Sequence, residues 1–270
     1  MSGADLLGAP LEELEFLARS PNRVAVLGAL TDGPVGRYDL EDETGVTRAT
    51  LGRILDDFEA RGWVVETDRR YEATQLGAYV SREFGAVLER FEPVPALEAV
   101  AQWFPPDGFG FDLGHLAGAD VIRSSRENVL APTAHISRRI REAEHVRLIT
   151  YSVLPGVLDV CWRGTVDGQL ELEGVLEVAA VNGVGTDPHL REQAAEMFET
   201  GRSTVYVYDG DIPSTVFVID DLVLLCLSGG EGAPLAVIET TDAAVRSWAE
   251  AMMDELQREC VPLDGSMFGA

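Results

Sequence analysis

The stretch LEDETGVTRATLGRILDDFEARGWVVETDRRYEATQLGAYV, Leu40–Val80, decides how this chain is read. Its first residues close a short helix, Arg37–Thr44, at Gly45, the residue type that most readily takes the left-handed turn ending a helix. Thr47 then stands as N-cap of a second helix that runs to Ala60. Leu51, Ile54, Leu55 and Phe58 fall on one face of it. Val46, between the two helices, is placed to tuck beneath them. Trp63–Thr67 and Tyr71–Thr74 read as strands, and Asp68-Arg69-Arg70 joins them as a hairpin turn.

The flanks fit this centre. Leu11–Ala18 has a helical period, and Ser20-Pro21-Asn22 opens a helix, Arg23–Leu30, that Thr31-Asp32-Gly33-Pro34 stops. Gln75–Phe91 is a further helix. Three helices followed by a two-stranded hairpin, in about 65 residues, make a winged helix-turn-helix. The second helix of the pair then presents Thr47, Arg48, Ala49, Thr50 and Arg53 outward. Small and hydroxyl side chains let such a helix approach the floor of the major groove, and arginine can bind guanine edges or phosphate. Arg69 and Arg70 stand at the tip of the wing, where they would meet backbone phosphate or the minor groove, with Tyr71 packed beneath them. The plainer alternative is that these arginines pair with Asp56, Asp57 and Glu66.

Composition narrows the chemistry. The 270 residues include no lysine; all 21 basic residues are arginine, against 46 Asp and Glu, for a net charge of −25. Such a chain is expected to be adapted to concentrated salt, which screens its self-repulsion. Without lysine there is no Walker A lysine and no Schiff-base lysine. The acidity is uneven. Residues 1–90 hold 10 Arg against 17 Asp and Glu, and residues 91–270 hold 11 against 29. Three widely spaced cysteines and four scattered histidines suggest reduced thiols in a cytoplasm, with no metal site, no cofactor and no catalytic residue. No export signal and no apolar run of membrane-spanning length is seen, so no membrane association is expected.

Pro93 and Pro95 open a break. The expected domains are 1–91, a linker at 92–110 and a second domain at 111–262. Trp103, Phe104, Phe109 and Phe111 in the linker are read as an interdomain or dimer interface. Beyond it, helices are expected at Arg126–Glu142, Leu154–Trp162, Pro188–Thr200 and Asp242–Glu259. Strands are expected at Val146–Val153, Leu170–Val181 (as one strand or two), Thr204–Tyr208, Val216–Asp220, Val223–Leu227 and Leu235–Thr240. Asn182-Gly183 is taken as a turn, and Ser228–Gly232 as a loop that gates a pocket or closes a hairpin. Asp209-Gly210-Asp211 and Asp220-Asp221 are read as turns on an acidic face rather than a cation site. The fold class is α+β overall, with the second domain an α/β sandwich.

The Leu40–Val80 stretch resembles the DNA-binding domain of winged helix-turn-helix regulators of haloarchaea. LREQAAEMFETGRSTVYVYDGDIPSTVFVIDDLVLLCL, Leu190–Leu227, and the segment from Ile238-Glu239-Thr240-Thr241-Asp242 onward are similar to the effector domain of the TrmB-suppressor type, a relative of TrmB sugar-responsive regulators. That resemblance implies a degenerate phospholipase-D-like second domain. The enzyme motif of that fold needs His and Lys two residues apart, and this chain has no lysine. The chain is thus expected to be a cytoplasmic, DNA-binding transcription regulator. Its expected partners are double-stranded DNA, a second copy of itself, a small metabolite effector and other regulators. The alternatives are a protein-interaction module acting on another regulator, or an enzyme for which the winged helix only docks.

Overall fold

The computed structural model describes residues 3–229 and 232–263, with side chains from residue 8 onward. The chain separates into two units, residues 1–90 and 91–270.

The first unit runs α1 (Gly3–Ala18), α2 (Pro21–Ala29), β1 (Val35–Gly36), α3 (Arg37–Thr44), α4 (Arg48–Ala60), β2 (Val64–Thr67), β3 (Arg70–Ala73) and α5 (Gln75–Phe91). The two strands of the hairpin are joined by β1 into an antiparallel sheet of order β1-β3-β2. The apolar stripe of α4, with Leu27, Leu30 and Leu40, forms a core that excludes water almost completely. Val46 is buried beneath the helix pair, as its position between the helices suggested. Phe16 packs edge-on against both Phe58 and Trp63, closing α1 onto the base of the hairpin.

The second unit continues with α6 (Val94–Glu98), single 3₁₀ turns at Ala101–Trp103 and Leu113–Leu116, β4 (Asp120–Arg123), α7 (Ala131–Arg141), β5 (His145–Thr150), α8 (Pro155–Val166), β6 (Glu171–Glu177), α9 (Val178–Thr186) and α10 (Pro188–Glu199). It ends with β7 (Ser203–Tyr208), β8 (Thr215–Ile219), β9 (Leu222–Leu227), β10 (Ala236–Thr240), α11 (Ala243–Glu259) and β11 (Val261–Pro262). Its eight strands form one mixed sheet of order β11-β7-β6-β5-β8-β9-β10-β4. The β5–β6 and β6–β7 pairs are parallel and the rest antiparallel. Alternate side chains enter opposite layers, as a pleated strand requires. Val216, Val218, Val223 and Leu225 face α11 through Val245, Ala249 and Met253. Phe217, Ile219, Leu224 and Cys226 face α7, α8 and α10 through Ile136, Ile140, Val160 and Met197. Cover on both faces is what makes β8–β10 nearly continuous apolar runs. The fold is α+β, a winged helix followed by a layered α/β domain.

Several expectations need correction. Residues 92–110 are not a free linker. Leu97 and Val100 are buried in the second unit, and Trp103, Phe104, Phe109 and Phe111 pack onto the same core. The rings of Phe109 and Phe111 stack at 5.3 Å, and both meet Trp248 of α11 edge-on. They pack inside the second unit. Helix α7 starts at Ala131, not Arg126, because Pro132 fits only a first helical turn. The strand expected to reach Val181 stops at Glu177. Asn182-Gly183 then lies inside α9, whose Ala180, Val181 and Val184 are buried, two of them packed with Ala194 of α10. The Ser228–Gly232 expectation falls partly outside the described residues. Among the described residues, no helix is long and apolar enough to cross a membrane.

Candidate nucleic-acid interface

The turn between α3 and α4 sets the site. Gly45 sits at φ +66°, and its N–H bonds the Glu41 carbonyl at 3.0 Å, closing α3. A side chain in that left-handed conformation costs about 1–2 kcal/mol. Thr44 and Val46 finish the turn, with the Thr44 hydroxyl accepting from the Val46 N–H at 3.4 Å. Helix α4 then begins with Thr47 in N-cap backbone geometry, but no side chain caps the helix. The Thr47 hydroxyl bonds that of Thr50 instead, at 3.1 Å. No acidic residue occupies the first turn of α4. The positive end of the helix dipole there has no carboxylate from its own first turn to offset it.

Thr47, Arg48, Ala49 and Arg53 are exposed and Thr50 is half-buried. The Arg48 side chain, 82% exposed, comes no nearer than 4.0 Å to its acidic neighbour Glu41. Arg53 and Arg69 have no ion-pair partner among the described residues. Asp57, a proposed partner for these arginines, is held by Arg23 at 3.4 Å instead.

At the wing, Asp68 and Arg69 both adopt positive φ, +52° and +64°. A two-residue hairpin loop with both centres left-handed matches the strand twist, but it favours Asn-Gly rather than an arginine. Arg69 thus holds a strained, exposed tip position. Arg70 belongs to β3 and is engaged elsewhere: its guanidinium donates to the Pro34 carbonyl at 2.7 and 3.1 Å, fastening the wing to the loop before β1. Tyr71 does not pack beneath the wing arginines. Neighbouring residues of a strand point to opposite faces, and Tyr71 is buried, its phenol donating to Glu66 at 3.1 Å. Burial, then the Glu66 bond, pushes that phenol above its ordinary pKa.

Sequence reasoning missed two residues beside this surface. Tyr38, on α3, is 77% exposed. Arg37 lies over Gly52 of α4, where an added Cβ would stand 3.3 Å from its terminal nitrogen. Its buried Nε has no hydrogen-bond partner among the described residues. Neither residue lies in the second helix or the hairpin, where a pattern search looks. The same unit exposes carboxylates at Asp39, Asp42, Glu43, Glu66, Asp68 and Glu72.

In the second unit, Asp220 is a turn residue whose carboxylate accepts from the His145 N–H at 3.0 Å, and Asp221 pairs with Arg246. Among the described residues no group of three His, Cys, Asp or Glu is placed to hold a metal ion.

Residues 11–94 match the HVO_A0261 N-terminal domain family, and residues 129–259 match the middle domain of FilR1, a methanogenesis regulatory protein. No curated protein matches the chain. Among solved structures, TrmBL2, described as an archaeal chromatin protein with a novel mode of DNA binding, is 14% identical. That alignment covers 92% of this chain and 98% of that one at a TM-score of 0.39. Nuc from Salmonella typhimurium, a phospholipase D family member, is 11% identical over 54% of this chain and 97% of its own, with a TM-score of 0.42. NucT from Helicobacter pylori is 14% identical over 54% and 98%, with a TM-score of 0.37. The chain is thus similar to the HVO_A0261 N-terminal domain over residues 11–94 and to the FilR1 middle domain over residues 129–259.

Proposed function

We propose that this protein is a transcription regulator that reads double-stranded DNA, with α4 in the major groove and the β2–β3 wing on the backbone. One observation carries the reading. The first turn of α4 is uncapped by any side chain, free of carboxylates, and flanked by the exposed arginines 48 and 53. Such a helix start offers N–H groups to phosphate while its arginines reach base edges. The strained Arg69 adds a charge at the wing tip. The match to a domain of a regulatory protein supports the same direction. A dimer fits this reading, because two half-sites double the contacts of one small domain. Leu76, Tyr79, Val87, Leu88 and Phe91 form an exposed apolar row on α5 suited to that role. The second unit is proposed to be a non-catalytic partner or sensor domain, the protein acting in the cytoplasm.

The test starts from DNA fragments recovered by mapping occupancy across the genome in native salt. A duplex from one such fragment is titrated with protein in molar KCl. Arg48→Ala and Arg53→Ala are each expected to weaken binding about five- to hundredfold, the range of a lost bidentate base contact. Arg69→Gly relaxes the turn while removing the charge, so it should weaken specific and unrelated duplexes alike. If both α4 variants bind as tightly as the wild type, α4 is not the reading helix.

A further inference from the structure

The second unit leaves a space between its sheet and the α8–α9–α10 layer. The cavity is about 110 Å³. Leu148, Leu172 and Val205 of the sheet floor it, and Val157, Val184 and Met197 of the helices close it. Five side-chain hydroxyls line it, those of Thr150, Tyr151, Ser152, Ser203 and Thr215, and that of Tyr151 lies 2.6 Å from the Ser228 hydroxyl. Thr150 donates to the Ser152 carbonyl at 2.6 Å, and the Thr215 hydroxyl lies 2.8 Å from that of Thr150, so these two are satisfied. Ser203 is not. It lines the cavity, is only 8% exposed, and its buried hydroxyl has no hydrogen-bond partner among the described residues. A buried hydroxyl beside a void, left unpaired, is costly unless something enters to complete it.

A wider opening of about 440 Å³ adjoins the cavity at the carboxyl ends of β5 and β6. It shares Tyr151, Ser152, Val153 and Val184 with the cavity and adds Glu177 and Leu190. That is the end of an open α/β sheet at which ligands enter.

We propose that this cavity binds a small, largely apolar molecule, about the size of a single aromatic ring, through one hydrogen-bonding group that pairs with Ser203. The size is set by the space: an apolar cavity of about 150 Å³ in another protein takes up benzene. The polarity is set by the lining, in which Ser203 offers a buried hydroxyl without a partner among the described residues. A sugar would bring several hydroxyls and leave most of them unpaired in an apolar shell. Nothing in this assignment depends on DNA binding.

The full chain in molar KCl is titrated by calorimetry with phenol, benzene and glucose. Phenol and benzene are expected to saturate one site per chain, and glucose to give no heat of binding. In Ser203→Ala the ratio of phenol to benzene affinity should fall about three- to tenfold, the worth of one hydrogen bond. Ala194→Leu, which adds bulk to the lining, should abolish both. No saturable phenol binding, an unchanged ratio in Ser203→Ala, or glucose binding in place of phenol overturns the proposal. If Ala194→Leu does not fold, as judged by its circular dichroism, the Ser203→Ala ratio decides alone.

Discussion

Glu239 is the most consequential buried charge in the second unit, and replacing it tests how the sheet holds α7. It lies in β10 with its side chain 7% exposed. Arg139 of α7 grips both of its oxygens, one through Nε at 2.8 Å and the other through a terminal nitrogen. His135 stands 2.5 Å away. Arg138 approaches the other ring nitrogen of His135, Nδ1, at 2.8 Å. Arginine only donates, so Nδ1 accepts and Nε2–H is the donor toward Glu239. In Glu239→Gln one of the two oxygens becomes an NH₂ group. That group must face either the His135 N–H or the Arg139 guanidinium, donor against donor. Removing one partner of a buried pair costs about 3–5 kcal/mol. Arg139 is 34% exposed and can turn to water, so the expected loss is lower, about 2–3 kcal/mol. In a domain of this size that lowers Tm by about 4–12 °C. Thermal unfolding in molar KCl, followed by circular dichroism, measures it. Burial opposes ionisation of this carboxyl, but the bonds from Arg139 and His135 outweigh it and hold its pKa below the ordinary glutamate value. Its contribution is therefore complete above the unfolded pKa, about 4.3, and is lost as pH falls through the lower folded value. Glu239→Gln should flatten that acid limb. A Tm within 1 °C of wild type, with the acid limb unchanged, would refute this account of the α7 anchor.

Two glycines of α5 should respond in opposite directions. A Cβ on Gly77 would stand 1.9 Å from the Trp63 carbonyl oxygen, so Gly77→Ala should destabilise the first unit by about 1–3 kcal/mol in a denaturant melt, whereas Gly85, with nothing within 4 Å, should gain about 0.5–1 kcal/mol as Ala. Equal effects at the two sites would sink the packing argument. Burial pushes the Cys161 thiol up to about 12 and raises that of Cys226 further, so a thiol reagent at pH 8 should label at most one cysteine per native chain, the half-buried Cys260, and all three after unfolding. Fast labelling of two or more in the native protein contradicts the buried positions. Stability should rise from dilute buffer to molar KCl, because 46 carboxylates face 21 arginines. A melting temperature flat across that range removes the case for salt adaptation.

What the sequence determined by itself is local. Helices α3 and α5 begin and end where the chain predicts, and α4 follows Thr47 directly, because Gly45, the N-cap position and the 3.6-residue apolar period act within a few residues of one another. Asp187 and Asp242 mark the starts of α10 and α11 for the same reason: each carboxylate accepts two N–H groups of its own helix. What only the tertiary structure decided depends on partners far away in the chain. Strand β4 exists by pairing with β10, more than a hundred residues on. Val178–Thr186 looks like strand and turn until α10 packs against it and makes a helical face the better burial. The aromatics of 103–111 read as a sticky linker because nothing nearby in the sequence announces Trp248. In the interface, the exposure of Arg48 and Arg53 was legible from the period of α4, since the buried stripe fixes the opposite face. The diversion of Arg70 to Pro34 was not, because it arises from how β1 and the hairpin close on one another; nor were the left-handed Arg69, set by the register of the hairpin, and the buried Arg37 Nε, set by the packing of Arg37 over α4.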